Sequence, residues 1–184
     1  MESEGQTKFV KKTALKISKI LNFLAKEEKR MENTNKEGFE SLNLEKIKEV
    51  LPHRDKWLLL KEVLFVDKNF IKAKTWFERN LCEGHFKDRA VVPGALLGEA
   101  MKQAGAFMVI MSQTEKDKDA PLIRQEAFEY ERVVLPGETV EIEVRLLSEK
   151  LGFYFLEGEI KKGDQRVMKG KFTGVKASKN KGLE

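Results

Sequence analysis

The chain has 184 residues and a mass of 21.2 kDa, which suits one ordinary domain with tails. Hydrophobic residues make up 41% of the chain, and no run of about 18 apolar residues occurs, so wholesale disorder and a membrane span are excluded. The single cysteine, Cys82, excludes an internal disulfide and a cysteine zinc site. Together with an N-terminus that lacks a signal-peptide layout, it favours a reducing, cytoplasmic setting.

The net charge of +5 belongs to the ends of the chain. Residues 1–40 carry a net charge of +2 and residues 161–184 one of +6, whereas residues 41–160 carry −3. No aromatic and basic signature of an RNA-binding sheet accompanies the lysines, so we expect no nucleic-acid partner. We expect residues 177–184 to be a solvated basic tail.

Residues 1–40 form a candidate extension. Residues 6–26 hold six lysines and no acidic residue, and their apolar residues recur at alternating spacings of four and three, which predicts a basic amphipathic helix. Residues 27–41 are polar and read as a linker. Three interpretations remain open: the helix docks on the body or on a partner, it lies on a membrane surface, or it frays.

The first part of the body, from residue 41, predicts a helix and a hairpin. Asn43 is a suitable N-cap for a short helix, Leu44 to Val50, before Pro52. Trp57 to Val66 reads as an apolar strand, and Phe70 to Phe77 as its hairpin partner. A loop of about fifteen residues follows, and unstructured loops of that length are usually functional.

A long apolar helix is predicted from Gly94 to about Gln113. Only Glu99, Lys102 and Gln103 interrupt its apolar surface before the last turn. Such a helix must be surrounded by other elements in a soluble protein. From Ala120 onward, apolar residues alternate with polar ones, which predicts an antiparallel meander of three or four strands. The pattern therefore favours an α+β body, residues 41–176, with a sheet curled around the helix.

Three residues could do chemistry together. The long loop holds His85, and the apolar helix carries Glu99 and begins at Gly94. A histidine and a carboxylate in a dry pocket form a general acid and base pair, and the backbone N–H of Gly94 suits a carbonyl oxygen that gains negative charge. The residues alone leave an alternative open: a satisfied core histidine and a salt-bridged glutamate.

Four ordered motifs carry a family resemblance. They are Leu51-Pro52-His53-Arg54, Gly84-His85-Phe86, the segment from Val91 to Ala100 that contains Pro93-Gly94 and Glu99, and the segment from Phe128 to Glu138. Over about residues 44–176 the chain resembles the (3R)-hydroxyacyl-[acyl-carrier-protein] dehydratases of the FabZ type. The 14 positions that separate His85 from Glu99 match that family.

The resemblance implies a hot-dog fold, an antiparallel sheet wrapped around the long central helix at about 94–113. It implies that His85 removes the α-proton of a 3-hydroxyacyl thioester in fatty-acid biosynthesis, that Glu99 protonates the departing hydroxyl and that Gly94 binds the thioester carbonyl. Neither metal nor organic cofactor is implied. The partner is acyl carrier protein with its acyl-phosphopantetheine, and the assembly is a homodimer or trimer of dimers whose sites take histidine and glutamate from different chains.

Some residues depart from the family pattern or receive a lesser role. Lys87-Asp88 and Asp55-Lys56 stand where the family commonly has Pro and Tyr-Pro, which leaves chain length and carrier preference open. We expect His53 to be mainly structural and Cys82 to be a small buried residue. The alternative functions are a hot-dog thioesterase, an acyl-CoA hydratase, or a non-catalytic acyl-binding or scaffold subunit.

Overall fold

The computed structural model describes residues 41–113 and 120–176. The helix predicted at 6–26, the extension over residues 1–40 and the basic tail over 177–184 lie outside the described residues, so they stay predictions. None of the described helices is long and apolar enough to cross a membrane.

Two α-helices lie where the sequence predicts them. Helix α1 spans Leu44–Val50, and the Asn43 side chain caps it by accepting a hydrogen bond from the amide of Lys46 at 3.2 Å. Helix α2 spans Gly94–Ser112, and 12 of its 19 residues are buried. The prediction of a surrounded central helix is therefore confirmed.

The strands form one antiparallel sheet of six in the order β1-β2-β4-β5-β6-β3. Their bounds are β1 Glu62–Val66, β2 Phe70–Thr75, β3 Leu122–Tyr130, β4 Val140–Lys150, β5 Phe153–Lys162 and β6 Gln165–Val175. Alternate residues of β4 are buried, Val140, Ile142 and Val144, so this strand turns one face to α2 and the other, with Glu141 and Glu143, outward.

The sheet order corrects part of the predicted meander. Strands β4, β5 and β6 are consecutive neighbours, but β3 pairs with β6 at the far edge rather than with β4. The connection between β3 and β4 hydrogen-bonds the long loop instead: the amide of Gly137 donates to Phe77 O at 2.8 Å and that of Val92 donates to Val134 O at 2.8 Å. The turn at Pro136-Gly137 thus lies in a connection between two strands that are not neighbours in the sheet.

The strand predicted from Trp57 to Val66 begins later than expected, at Glu62. Residues 55–57 form a 3₁₀ turn, and the buried backbone of Leu59 and Leu60 bonds to side chains rather than to the backbone of a neighbouring strand. Gln103 Oε1 accepts the amide of Leu59 at 2.9 Å, and the Thr75 hydroxyl donates to Leu59 O. Two buried polar side chains therefore replace a strand partner for this segment.

Candidate active site

His85 is held by two hydrogen bonds to one residue of the long loop. Its ring Nδ1 lies 3.1 Å from the carbonyl oxygen of Val91, and the amide of Val91 donates to His85 O at 2.7 Å. A carbonyl oxygen can only accept, so the geometry assigns the proton to Nδ1 and leaves the lone pair on Nε2. A 3₁₀ turn, Arg79–Cys82, precedes this histidine and gives the predicted loop some regular structure.

Glu99 lies in the second turn of α2, and its side chain is 27% exposed. Three side chains face its carboxylate: Gln103 donates to Oε1 at 3.1 Å, Lys102 Nζ lies 3.3 Å from Oε2, and His53 Nε2 lies 3.6 Å from Oε1. The neighbours at positions 102 and 103 follow from helical spacing, which brings residues three and four apart onto one face. The carboxylate is thus paired, as a polar group on an apolar helix must be.

The structure does not bring His85 and Glu99 together within one chain. Among residues 41–113 and 120–176, the histidine within 4 Å of the Glu99 carboxylate is His53, and His85 bonds Val91 instead. The idea that the loop folds back to place both predicted groups in one pocket of a single chain therefore receives no support. The placement is compatible with the arrangement that the family resemblance implies, in which the two residues come from different chains.

Gly94 begins α2 with its amide unused. Within the described parts of the chain, nothing accepts the amide protons of Gly94 or Ala95, whereas those of Leu96 and Leu97 point to Pro93 O. A Cβ at position 94 would lie 2.8 Å from Cε1 of the half-exposed Tyr130, so the tyrosine ring would have to shift. Free amides at a helix N-terminus favour a negatively charged oxygen.

His53, which the sequence analysis expects to be mainly structural, lies beside the carboxylate of Glu99. Besides the contact with Glu99, its Nδ1 is buried and has no hydrogen-bond partner among the described residues. The Leu-Pro-His-Arg motif marked the residue, but its contact with a helix 46 positions away could not be read from local pattern. Glu99, Lys102 and Gln103 did have a local signal in the sequence, because they alone interrupt the apolar surface of α2 before its last turn.

Cys82 is fully buried, as predicted. Burial raises the pKa of its thiol, which disfavours the reactive thiolate. Its sulfur lies 3.6 Å from the carbonyl oxygen of Glu78. The thiol is therefore part of the packing of the loop.

A groove of about 440 Å³ opens on the outer face of the sheet, on β3 to β6. Its charged side chains are of both signs: Glu129, Glu143, Arg145, Glu157, Glu159, Arg166, Lys169 and Lys171. None of the predicted site residues lines it, so it is distinct from the candidate active site.

The sequence of the body matches a known family. The chain belongs to the FabA-like domain family, whose model matches residues 51–171. The 3-hydroxyacyl-[acyl-carrier-protein] dehydratase FabZ of Clostridium perfringens is 32% identical over 109 residues, which are 58% of this chain and 78% of that protein. The FabZ of Exiguobacterium sibiricum is 35% identical over 128 residues, 65% of this chain and 83% of the relative.

Solved structures confirm the predicted hot-dog fold. The dehydratase heterocomplex ApeI:P of Xenorhabdus doucetiae is similar with a TM-score of 0.62 at 19% identity, covering 72% of this chain and 91% of that one. A hypothetical thioesterase of Streptococcus pneumoniae, solved with coenzyme A, gives a TM-score of 0.52 at 13% identity, covering 63% and 84%. At these identities the similarity concerns the fold alone.

Proposed function

We propose that His85 and Glu99 are the base and the acid of a dehydratase site assembled from two copies of this chain. The activity is the one named by its FabZ relatives: dehydration of (3R)-3-hydroxyacyl thioesters on acyl carrier protein to trans-2-enoyl thioesters, in fatty-acid biosynthesis. The chain is accordingly a carbon–oxygen lyase. The observation that carries the assignment of the base is the hydrogen bond between His85 Nδ1 and Val91 O.

That hydrogen bond prepares His85 for proton abstraction. With the proton fixed on Nδ1, the Nε2 lone pair is available to take the proton from C2 of the substrate. The thioester acidifies this proton, and the electron pair of the broken C–H bond becomes the C2–C3 double bond. The base must be neutral in order to accept this proton.

Glu99 completes the elimination. As the bond from C3 to the hydroxyl breaks, the protonated carboxyl donates its proton and water leaves. The reaction ends with a protonated His85 and an ionised Glu99, and transfer of one proton back restores the starting state. Because the acid must be protonated, activity should fall at high pH. The thioester carbonyl gains charge during the reaction, and the free amide of Gly94 is suited to bind it.

The edge strand β3 supports assembly from two chains. Eight of its nine residues are exposed, among them the large apolar side chains Leu122, Ile123 and Tyr130. An exposed, partly apolar edge is an unusual feature for an isolated chain, because it invites pairing with another strand. A homodimer, alone or as a trimer of dimers, would cover it and would bring the partner's loop towards α2. The acyl-phosphopantetheine of a carrier protein in the cytoplasm would then enter between the chains.

Two substitutions test the assigned roles. His85→Ala and Glu99→Gln should each lower kcat by about 10²- to 10⁴-fold with an unchanged circular dichroism spectrum. Glu45→Gln, which changes an exposed glutamate of α1, is the matched control and should leave kcat unchanged. The assay follows the conjugated enoyl product from a 3-hydroxyacyl carrier-protein thioester. Release of free thiol without that product would identify a thioesterase instead.

Mixing the two inactive variants tests the shared site. In a hybrid dimer one site would hold an intact His85 from one chain and an intact Glu99 from the other, so part of the activity should return. Subunit exchange is verified with differently tagged chains. If the hybrids form and remain inactive, the site lies within one chain and the two-chain arrangement is wrong.

A further inference from the structure

Lys102 links the proposed acid to the exposed edge strand. Its Nζ lies 3.3 Å from Glu99 Oε2 and 2.8 Å from Oε2 of Glu126 on β3, so one cation is shared by two carboxylates. The lysine side chain is only 17% exposed, whereas that of Glu126 is 44% exposed. An ion pair that is largely shielded from water is screened less than a surface pair.

The charge of Lys102 opposes the role that Glu99 needs. A general acid must hold its proton, and a cation within about 4–6 Å of a carboxyl group favours the ionised form. The pKa of Lys102 itself lies above its ordinary value: burial lowers it, but the hydrogen bond that Lys102 donates to Glu126 and the charges of Glu99 and Glu126 outweigh burial and raise it. The lysine therefore remains charged throughout the pH range in which an enzyme of this kind works.

Glu126 counteracts the lysine. It provides Lys102 with the shorter of its two contacts, and its negative charge disfavours a second negative charge at Glu99. The other groups that face Glu99 are His53 and Gln103. Burial raises the pKa of the nearby Tyr130 hydroxyl, the charge of Glu126 raises it further, and the charge of Lys102 opposes the increase.

We propose that Lys102 is a positioning residue that shares its charge between Glu99 and Glu126 and thereby sets the upper pH limit of dehydration. This inference rests on the proposed function of Glu99 as the acid. Removing the lysine should help Glu99 keep its proton, and removing the Glu126 charge should have the opposite effect. The two substitutions are thus expected to move the same limit in opposite directions, which a purely structural role of the pair would not do.

The test is the pH profile of kcat for Lys102→Met and Glu126→Gln. Relative to the unchanged protein, we expect the high-pH limb to move to higher pH in Lys102→Met and to lower pH in Glu126→Gln. Lys102→Arg keeps the cation and should retain the original limb. The matched controls are Lys169→Met and Glu129→Gln, which break another ion pair of β3, 3.1 Å long, away from Glu99. Both controls should keep the original profile.

A second measurement makes the test independent of turnover. The glutamate carboxyl groups are labelled with carbon-13, and the Glu99 signal is assigned by its absence from Glu99→Gln. In an NMR titration the Glu99 midpoint should move to higher pH in Lys102→Met and to lower pH in Glu126→Gln. If the unchanged protein makes no enoyl product, the proposed function fails, and this titration still tests the charge sharing. The inference is wrong if the high-pH limb of kcat or the Glu99 midpoint does not move. It is also wrong if either of them moves in the same direction in both variants.

Discussion

Gln103 donates a hydrogen bond from Nε2 to Oε1 of Glu99 at 3.1 Å, one turn along the same helix. Its amide group is otherwise fully engaged with the segment before β1: Nε2 also donates to Trp57 O at 2.7 Å, and Oε1 accepts the amides of Leu59 and Leu60 at 2.9 and 3.3 Å. The side chain is 1% exposed. The proposed acid is therefore fixed in place by a residue that also holds part of the backbone.

Gln103→Met should reduce both stability and catalysis. Two buried backbone amides lose their acceptor, so the free energy of unfolding should fall by about 1–3 kcal/mol. Glu99 loses a hydrogen bond that orients it, so kcat should fall while KM changes little. The measurements are urea unfolding, and kinetics at a temperature at which the variant is folded.

Thr75→Val is the matched control for Gln103→Met. The Thr75 hydroxyl bonds the carbonyl of Leu59 in the same segment but does not contact Glu99. We expect a loss of stability of similar size with nearly normal kcat. If both variants lose kcat equally, the segment before β1 matters for catalysis and the hydrogen bond to Glu99 does not.

Gly170→Ala should destabilise the pairing of β3 with β6. A Cβ at this position would overlap the carbonyl oxygen of Ala127 and the ring of Phe128 on the neighbouring strand. A backbone oxygen in a strand ladder cannot move aside, so we expect a loss of about 1–3 kcal/mol, as in overpacked cores. Urea unfolding measures the change. Lys171→Ala, at the next and exposed position, should change stability by less than about 0.5 kcal/mol, and equal midpoints for the two variants would contradict the prediction.

The parts of the fold that sequence predicts well are those with local causes. Asn43 caps α1 through the amide of Lys46, three residues on, and the apolar surface of α2 alone requires burial. The late start of β1 has a distant cause, since Gln103 lies 44 positions from Leu59. The position of β3 beside β6 is likewise set by long-range packing, and an alternating pattern is the same whichever strand is the partner.

The candidate site likewise has parts that a local sequence pattern marks and parts that only the packed structure reveals. His85, Glu99 and Gly94 were found because ordered motifs mark them, each within a few residues. The contacts that other elements make around Glu99 carry no local signal: His53 lies beside its carboxylate, and Glu126 reaches it only through Lys102. Their positions follow only once the sheet and α2 are packed together.

The extension of residues 1–40 is predicted to serve recognition or assembly rather than chemistry. Its six lysines within residues 6–26 would attract an acidic partner, and acyl carrier proteins are acidic as a class. Deleting residues 1–40 should leave turnover of a small thioester analogue nearly unchanged. It should raise KM for the carrier-bound substrate at low salt, or change the oligomer size, and the effect on KM should fade as salt is added.

Two results would decide among the interpretations of the extension. Unchanged carrier kinetics and unchanged oligomer size after deletion would contradict the prediction. Binding of the full chain, but not of the shortened one, to anionic vesicles would favour a membrane-surface helix instead. An internal control is the turnover of the small thioester analogue, whose salt dependence should be the same for the full chain and for the shortened chain.

The last prediction concerns Glu138, which closes the turn before β4. Its Oε2 accepts the amide of Leu135 at 2.9 Å, and Lys162 Nζ lies 3.1 Å from both carboxylate oxygens. The hydrogen bond from Leu135 lowers the pKa of Glu138 below the ordinary value of 4.5, burial opposes this, and Lys162 adds to the lowering. A carboxyl group whose pKa is lower in the folded protein than in the unfolded chain stabilises the fold at pH values above its unfolded pKa. This stabilisation is lost as the pH falls through the folded pKa.

Glu138→Gln should therefore lower Tm at pH 7 by about 2 °C, since a partly exposed pair contributes less than about 1 kcal/mol. The difference should shrink below pH 4.5 and vanish once the wild-type carboxyl group is protonated. Thermal unfolding at a series of pH values measures it, with Glu157→Gln on the outer face of β5 as the control. A Tm difference that stays constant from pH 7 to about pH 3 would show that the substitution acts through packing and not through the charge.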